Sequence, residues 1–220
     1  CAHLQLKANG QKNLKQNKIN KKFIYLISPN KIKNNNFYTD LALVFRSKKV
    51  SFFQLRLKKE TTKNKFIIGK KIKLICNKYK VKFLINDDPL LAKKLNADGC
   101  HLGQEDMRIE NARKILKNKI IGVTCHNSVN LAKKAITSGA NYLAFGAFYL
   151  TETKIVKHKA NLKILKSVKK ITNLPIVAIG GIKHTNYKKL LLNNANFLAI
   201  SGYIWNNKKY KPFEAIKELR

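Results

Sequence analysis

At 220 residues and 25.2 kDa, with 45% hydrophobic and 9% aromatic residues, the chain can bury a substantial core, which excludes disorder along its whole length. The length suits a single α/β barrel, a fold that takes roughly 200 to 250 residues as one domain. Forty-six Lys plus Arg against 11 Asp plus Glu give a net charge of +35, yet the lysines are spread along the chain beside Asn and Ile, with no RNA-binding aromatic motif and no zinc-finger spacing, so no specific nucleic-acid partner is expected.

Residues 1–22 are polar and rich in Lys, Asn and Gln, and read as a basic N-terminal tail ahead of a barrel spanning 23–220. They lack the apolar middle of a secretory signal, and the chain has no apolar run of roughly 18 residues, so no membrane partner is expected and the cytoplasm is the default location. Cys1, Cys76, Cys100 and Cys125 are too far apart for a Cys-x-x-Cys or Cys/His metal pattern and are expected to be reduced. A homo-oligomer is left open.

From Phe23 onward, short apolar or β-branched runs alternate with longer amphipathic stretches, the βα signature of a parallel sheet. Strands are predicted at 23–28, 51–57, 82–87, 99–103, 120–126, 142–147, 175–181 and 197–202. Helices are predicted between them at 63–78, 89–96, 109–116, 128–138, 162–171 and 186–193. Asn127-Ser128 and Thr185-Asn186 are candidate helix caps, and Gly139 is a candidate helix stop. Eight βα units fit a (β/α)8 TIM barrel, whose active sites form at the carboxyl ends of the strands. An open doubly wound sheet fits less well, because the first unit has no dinucleotide glycine fingerprint and polar motifs follow nearly every strand.

Those motifs carry the candidate chemistry. In Gln54-Leu55-Arg56-Leu57-Lys58, alternation sends Gln54, Arg56 and Lys58 to one face and the two leucines to the other. Two cations on an inward face need an anion, and a phosphate or pyrophosphate group suits them; pairing with barrel carboxylates is the competing reading. Asn86-Asp87 closes the third strand and Asp106 follows the fourth, and neighbouring strands lie about 4.8 Å apart, so both carboxylates can converge on one cation. Mg²⁺ is the expected ion, since it takes a few carboxylates together with waters and phosphate oxygens. The competing reading makes Asp106 a helix cap and pairs Asp87 with Arg56. Thr124-Cys125-His126-Asn127 ends the fifth strand, where His126 is a candidate acid or base. Thr151, Thr153 and Lys154 follow the sixth strand and can hold anions. Gly180-Gly181 and Ser201-Gly202 follow the last two strands, where many such barrels bind phosphate.

Taken in order, Gln-x-Arg-x-Lys, Ile-Asn-Asp, Ala-Asp-Gly-x-His-x-Gly-Gln-Glu-Asp, Gly-x-Thr-x-His, Thr-x-Thr-Lys and Ala-Ile-Gly-Gly-Ile resemble the thiamine phosphate synthase family, from about residue 23 to residue 205. The resemblance implies a (β/α)8 barrel that joins hydroxymethylpyrimidine diphosphate to thiazole phosphate, giving thiamine phosphate and pyrophosphate. It implies that Gln54, Arg56, Lys58 and Asn86 bind the pyrimidine diphosphate with Thr124 and Lys154, and that Asp87 and Asp106 hold Mg²⁺. It further implies that Thr151, Thr153, Gly181, Ile200 and Ser201 bind the thiazole phosphate. Arg56, Lys58 and Lys154 would stabilise charge on the leaving group in a dissociative substitution. The chain departs from the family pattern at Leu57, usually Glu, at Asp88, usually Arg, at Thr124, commonly Ser, and at Leu150, usually Pro. Two alternatives are a thiazole tautomerase relative that uses His126 to move protons, and a non-catalytic barrel that binds phosphorylated ligands or a polyanion.

Overall fold

A computed structural model describes residues 22–32, 34–151 and 158–220. In it, eight short parallel strands pair in chain order and close on themselves: β1 (Ile24–Ile27), β2 (Val50–Leu55), β3 (Lys82–Asn86), β4 (Gly99–Leu102), β5 (Ile120–Thr124), β6 (Tyr142–Gly146), β7 (Ile176–Ile179) and β8 (Phe197–Ile200). Strand β1 pairs with β2 on one side and β8 on the other, which seals the ring and leaves no open edge. The helices that return the chain are α1 (Asn36–Arg46), α2 (Thr62–Tyr79), α3 (Pro89–Lys94), α4 (Ile109–Leu116), α5 (Val129–Thr137), α6 (Leu162–Lys169), α7 (Tyr187–Leu192), α8 (Gly202–Trp205) and α9 (Pro212–Lys217). The expected (β/α)8 architecture is therefore present.

Alternation along each strand divides the apolar residues between two cores. Tyr25, Leu84, Tyr142, Ala144, Val177 and Ala199 turn inward and, with Phe52, Ile120 and Phe197, fill the barrel. Leu26, Phe53, Phe83, Ile121, Leu143, Ala178 and Leu198 turn outward against the helices. Each helix meets them with an apolar stripe, such as Phe37, Leu41, Val44 and Phe45 on α1, at the spacing of one helical face.

Side-chain caps start four helices: Thr61 Oγ1 accepts from Asn64 N at 3.2 Å, Asp88 Oδ1 from Leu91 N at 2.9 Å, Ser128 Oγ from Leu131 N at 3.2 Å, and Asn161 Oδ1 from Lys163 N at 3.0 Å. The predicted cap at Ser128 is thus present. Asn186 sits at the start of α7 but does not cap it; its Oδ1 accepts from Lys183 N and its Nδ2 donates to Gly181 O, so it fastens the preceding loop instead. Gly139 ends α5 with φ +88°, as a stop residue should. Most predicted strands run one or two residues too far, because residues such as Arg56, Asp87 and His126 leave the ladder to build the rim.

Several cations on the amino-terminal face of the barrel donate to backbone carbonyls. Lys49 Nζ donates to the carbonyls of Ile216, Lys217 and Leu219, which ties the end of α9 to β2. Arg113 donates to the carbonyls of Lys117, Lys119 and Gly139, and Lys119 to Ala97 O. Carbonyls at helix ends carry partial negative charge, so these lysines and arginines serve the fold directly.

Candidate active site at the carboxyl ends of the strands

The end of β2 carries Gln54, Arg56 and Lys58 toward the barrel mouth, while Leu55 and Leu57 are buried against the helices. That split is what the alternation predicts, and Leu57 also lines a cavity shared with Lys58, Asn86 and Asp87. Gln54 is buried, and its Nε2 donates to Asn86 Oδ1 at 2.5 Å. Arg56 leaves the strand through its backbone N–H, which donates to Ser28 Oγ at 2.9 Å, and its Nη1 donates to Asn30 Oδ1 at 3.0 Å. Burial lowers the Arg56 pKa, and the charge of Asp87 opposes that fall.

Asp87 takes a positive φ of +64°, a conformation that only short polar side chains adopt readily, and its N–H donates to His101 O at 2.8 Å. The turn places its Oδ2 3.2 Å from Lys58 Nζ. Asp106 approaches from the loop after β4, where Gly103 N donates to its Oδ2 at 2.6 Å. Burial raises the Asp106 pKa most, and a side-chain hydrogen bond with Asp87 raises it further. Two carboxylates and an ammonium therefore meet at one point. Asp106 does not cap α4, which starts at Arg108 without a side-chain cap, and the ion pair of Asp87 is with Lys58 rather than Arg56. Asp88, whose charge stood beside the proposed metal in the sequence, points into α3 as its cap.

Thr124, at the end of β5, rests on His101: its Oγ1 lies 2.9 Å from His101 Nε2. Gln104 Nε2 donates to Thr124 O. His126 has φ +52° and its ring lies 4.1 Å, centroid to centroid, from that of His158. The candidate residues Thr153 and Lys154 lie outside the described residues, as do 1–21 of the tail. Thr151 is described and half-buried.

At the ends of β7 and β8, Gly180 and Gly181 have φ of +107° and +59°. A Cβ on either would overlap Ala147, Tyr149 or Leu150, so the close approach that these glycines permit is by the loop after β6, anchored by Phe148 N to Ile179 O and Tyr149 N to Gly180 O, both at 3.1 Å. Ile200 commits its side chain to the core. Ser201 Oγ donates to Ser28 O at 3.1 Å, and Trp205 Nε1 to Ile27 O at 2.7 Å. Buried Ser28 thus joins the rim of β8 to the rim of β2. Ser28, Asn30, Tyr25, His101 and Tyr142 were not predicted as site residues. The inward positions of β1, β4 and β6 were legible as alternation, whereas the contacts of Ser28 and Asn30 depend on which strands become neighbours.

This arrangement defines a (β/α)8-barrel enzyme with polar and charged groups gathered where such barrels do chemistry. A family model for thiamine monophosphate synthase matches residues 24–204. The thiamine-phosphate synthase of Pelagibacter ubique is 81% identical over 207 residues, covering 94% of this chain and all of that protein. That of Nitrosomonas eutropha is 37% identical, covering 83% and 86%. The solved structure of a thiamine phosphate pyrophosphorylase from Pyrococcus furiosus superposes with a TM-score of 0.78 at 29% identity, covering 91% of this chain and 95% of that one. The chain belongs to the thiamine monophosphate synthase family, and its activity is the transferase reaction that forms thiamine phosphate in thiamine biosynthesis. No helix among the described residues is long and apolar enough to cross a membrane.

Proposed function

We propose that the mouth formed by β2 to β5 binds hydroxymethylpyrimidine diphosphate and that the rim of β6 to β8 binds thiazole phosphate. The observation that carries this reading is the Lys58–Asp87 ion pair beside Asp106 at the carboxyl end of the barrel. Arg56 and Lys58 are placed to hold diphosphate oxygens, and the hydrogen-bonded Gln54–Asn86 amide pair offers a donor and an acceptor for a pyrimidine edge. Thr151, Thr153, Gly181, Ile200 and Ser201 form the thiazole phosphate side of this reading, and Lys154 completes the diphosphate side.

Mg²⁺ fits the carboxylate pair. Burial, and then the neighbouring Asp87, raise the Asp106 pKa, and a hard divalent cation offsets the cost of two charged carboxylates side by side while leaving coordination positions for diphosphate oxygens. In this reading Asp87 and Asp106 are the protein's ligands to the ion. When bound, the ion would supply charge neutralisation on the leaving pyrophosphate.

In the proposed reaction, the bond between the pyrimidine methylene carbon and the pyrophosphate oxygen breaks, and its electron pair leaves with pyrophosphate. The thiazole nitrogen then donates its lone pair to the methylene cation. Arg56, Lys58 and Lys154 stabilise the charge that grows on the departing oxygens, and none needs to move a proton. His126 has no step to perform in this scheme.

The test combines purified protein, both substrates and Mg²⁺, with chromatography of thiamine phosphate and pyrophosphate. Equal amounts of the two products, dependent on the metal, are expected. Asp87→Ala and Asp106→Ala should each lower kcat by roughly a hundredfold or more, with circular dichroism unchanged. Near-normal turnover in both variants would remove the metal assignment, and activity lost with His126→Ala alone would favour proton transfer at that histidine.

A further inference from the structure

Beneath the mouth, the barrel interior holds four polar side chains in a row. Tyr25 Oη lies 2.7 Å from Tyr142 Oη, Tyr142 Oη lies 2.7 Å from His101 Nδ1, and His101 Nε2 lies 2.9 Å from Thr124 Oγ1. The row is built in: a Cβ on Gly122 would overlap the Tyr142 ring, so glycine at that position on β5 is what lets the tyrosine lie inside the barrel. The His101 and Tyr142 rings stack at 5.7 Å, and Tyr25 meets Tyr142 edge-on at the same centroid distance.

Counting protons leaves one arrangement. A neutral imidazole has one N–H, and each tyrosine has one O–H. If His101 carried its proton on Nδ1, that N–H would donate to Tyr142 and the Tyr142 hydroxyl would donate to Tyr25. The Tyr25 hydroxyl proton would then be buried with no acceptor among the described residues, a heavily penalised state. With the proton on Nε2, Tyr25 donates to Tyr142, Tyr142 to Nδ1, and Nε2–H to Thr124 Oγ1. Tyr25, Tyr142 and His101 are then all satisfied, and the Thr124 proton is left over.

We infer that these hydrogen bonds run in one direction, from Tyr25 through Tyr142 and His101 to Thr124, so that the Thr124 hydroxyl is held as a donor to an acceptor atom of the bound pyrimidine diphosphate. His101, Tyr142 and Tyr25 are then positioning residues that act through Thr124. The inference rests on Thr124 being a substrate residue, as in the function proposed above. Among the described residues neither ring nitrogen of His101 is bonded to a carboxylate, only to the hydroxyls of Tyr142 and Thr124, which suits a single ring proton. The substrate therefore has to present a lone pair rather than a donor at this point of the mouth, which makes the row a device for specificity.

Imidazole ¹⁵N NMR on the full chain tests the direction, with the His101 signals identified by their loss in His101→Gln. A protonated Nε2 and an unprotonated Nδ1 are expected near neutral pH; the reverse pattern would overturn the inference by itself. Tyr25→Phe leaves Tyr142 with only Nδ1 to donate to, so Nε2 should stay protonated in that variant, and a shift of the proton to Nδ1 would count against the row. Kinetics test the link to substrate. Tyr142→Phe should lower kcat/KM for the pyrimidine diphosphate about tenfold when Thr124 is present and change it little in the Thr124→Val background, while Thr124→Ser keeps activity. Equal losses in both backgrounds would mean that Tyr142 acts only on the fold. If Thr124→Val leaves kcat/KM unchanged, the substrate role of Thr124 falls, and the donor role falls with it, whichever ring nitrogen the NMR shows to be protonated.

Discussion

At the scale of single residues, His101 is a histidine whose function depends on not being charged. Burial is the main cause of its depressed pKa of about 4, with Arg56 adding to the fall and Asp87 opposing it. An unfolded histidine titrates near 6.5, so between about pH 6.5 and pH 4 the unfolded chain binds a proton that the folded chain refuses. Stability should therefore fall as pH is lowered through that window, by on the order of 3 kcal/mol in total. Asp106 works in the opposite sense, because its raised pKa means that protonation relieves the folded state. Urea unfolding of the wild type and His101→Gln at pH 7 and pH 5 separates the two: the variant should lose most of the acid sensitivity, and an unchanged slope would show that other groups dominate. His101 stood inside a motif legible in the sequence, but its partners come from β1, β5 and β6, so its burial and tautomer could not be read there.

At the scale of elements, the rim is held by contacts between successive βα units. Asp88 illustrates how a residue that reads as part of the site can belong to a helix instead. Its carboxylate accepts from Leu91 N, ahead of Pro89 at the first position of α3, a combination that starts a helix well. Asp88→Ala should lower stability by about 1 kcal/mol with turnover nearly unchanged. Asp88→Asn, which keeps a capping oxygen, should recover most of that stability; a large loss of turnover in Asp88→Asn would give Asp88 a part in the site beyond its cap. Helix α1 was absent from the predicted elements although its buried positions 37, 41, 44 and 45 follow helical spacing. Its Asn-rich start offers no side-chain cap, so the boundary signal was missing and packing against the barrel supplies the stability. The short α8 is likewise held by tertiary contacts, including Trp205 to the end of β1.

At the scale of the whole molecule, the net charge of +35 opposes compaction. Only three ion pairs link side chains among the described residues, and each has an exposed partner. Several cations instead satisfy backbone carbonyls on the amino-terminal face, and among the described residues six lysines lie over aromatic rings. Long-range repulsion should then outweigh pairing at low salt. Raising NaCl from about 10 to 200 mM shortens the Debye length from roughly 30 Å to under 10 Å, and Tm measured by calorimetry should rise by several degrees. A fall in Tm would mean that local charge pairs stabilise the barrel more than the overall charge strains it.

The order of strands, the inward alternation of Gln54, Arg56 and Lys58, and the polar residues at the strand ends were legible in the chain because they follow from local periodicity and from motifs of fixed spacing. Those features were enough to indicate the barrel and the family. Which carboxylate meets which cation, why Asp88 turns away, how Ser28 bridges two rims, and how protons are ordered beneath the mouth were decided only when the ring closed. Each depends on residues from different βα units, brought within a few ångströms by sheet register and packing, and no local pattern in a sequence records a distance of that kind.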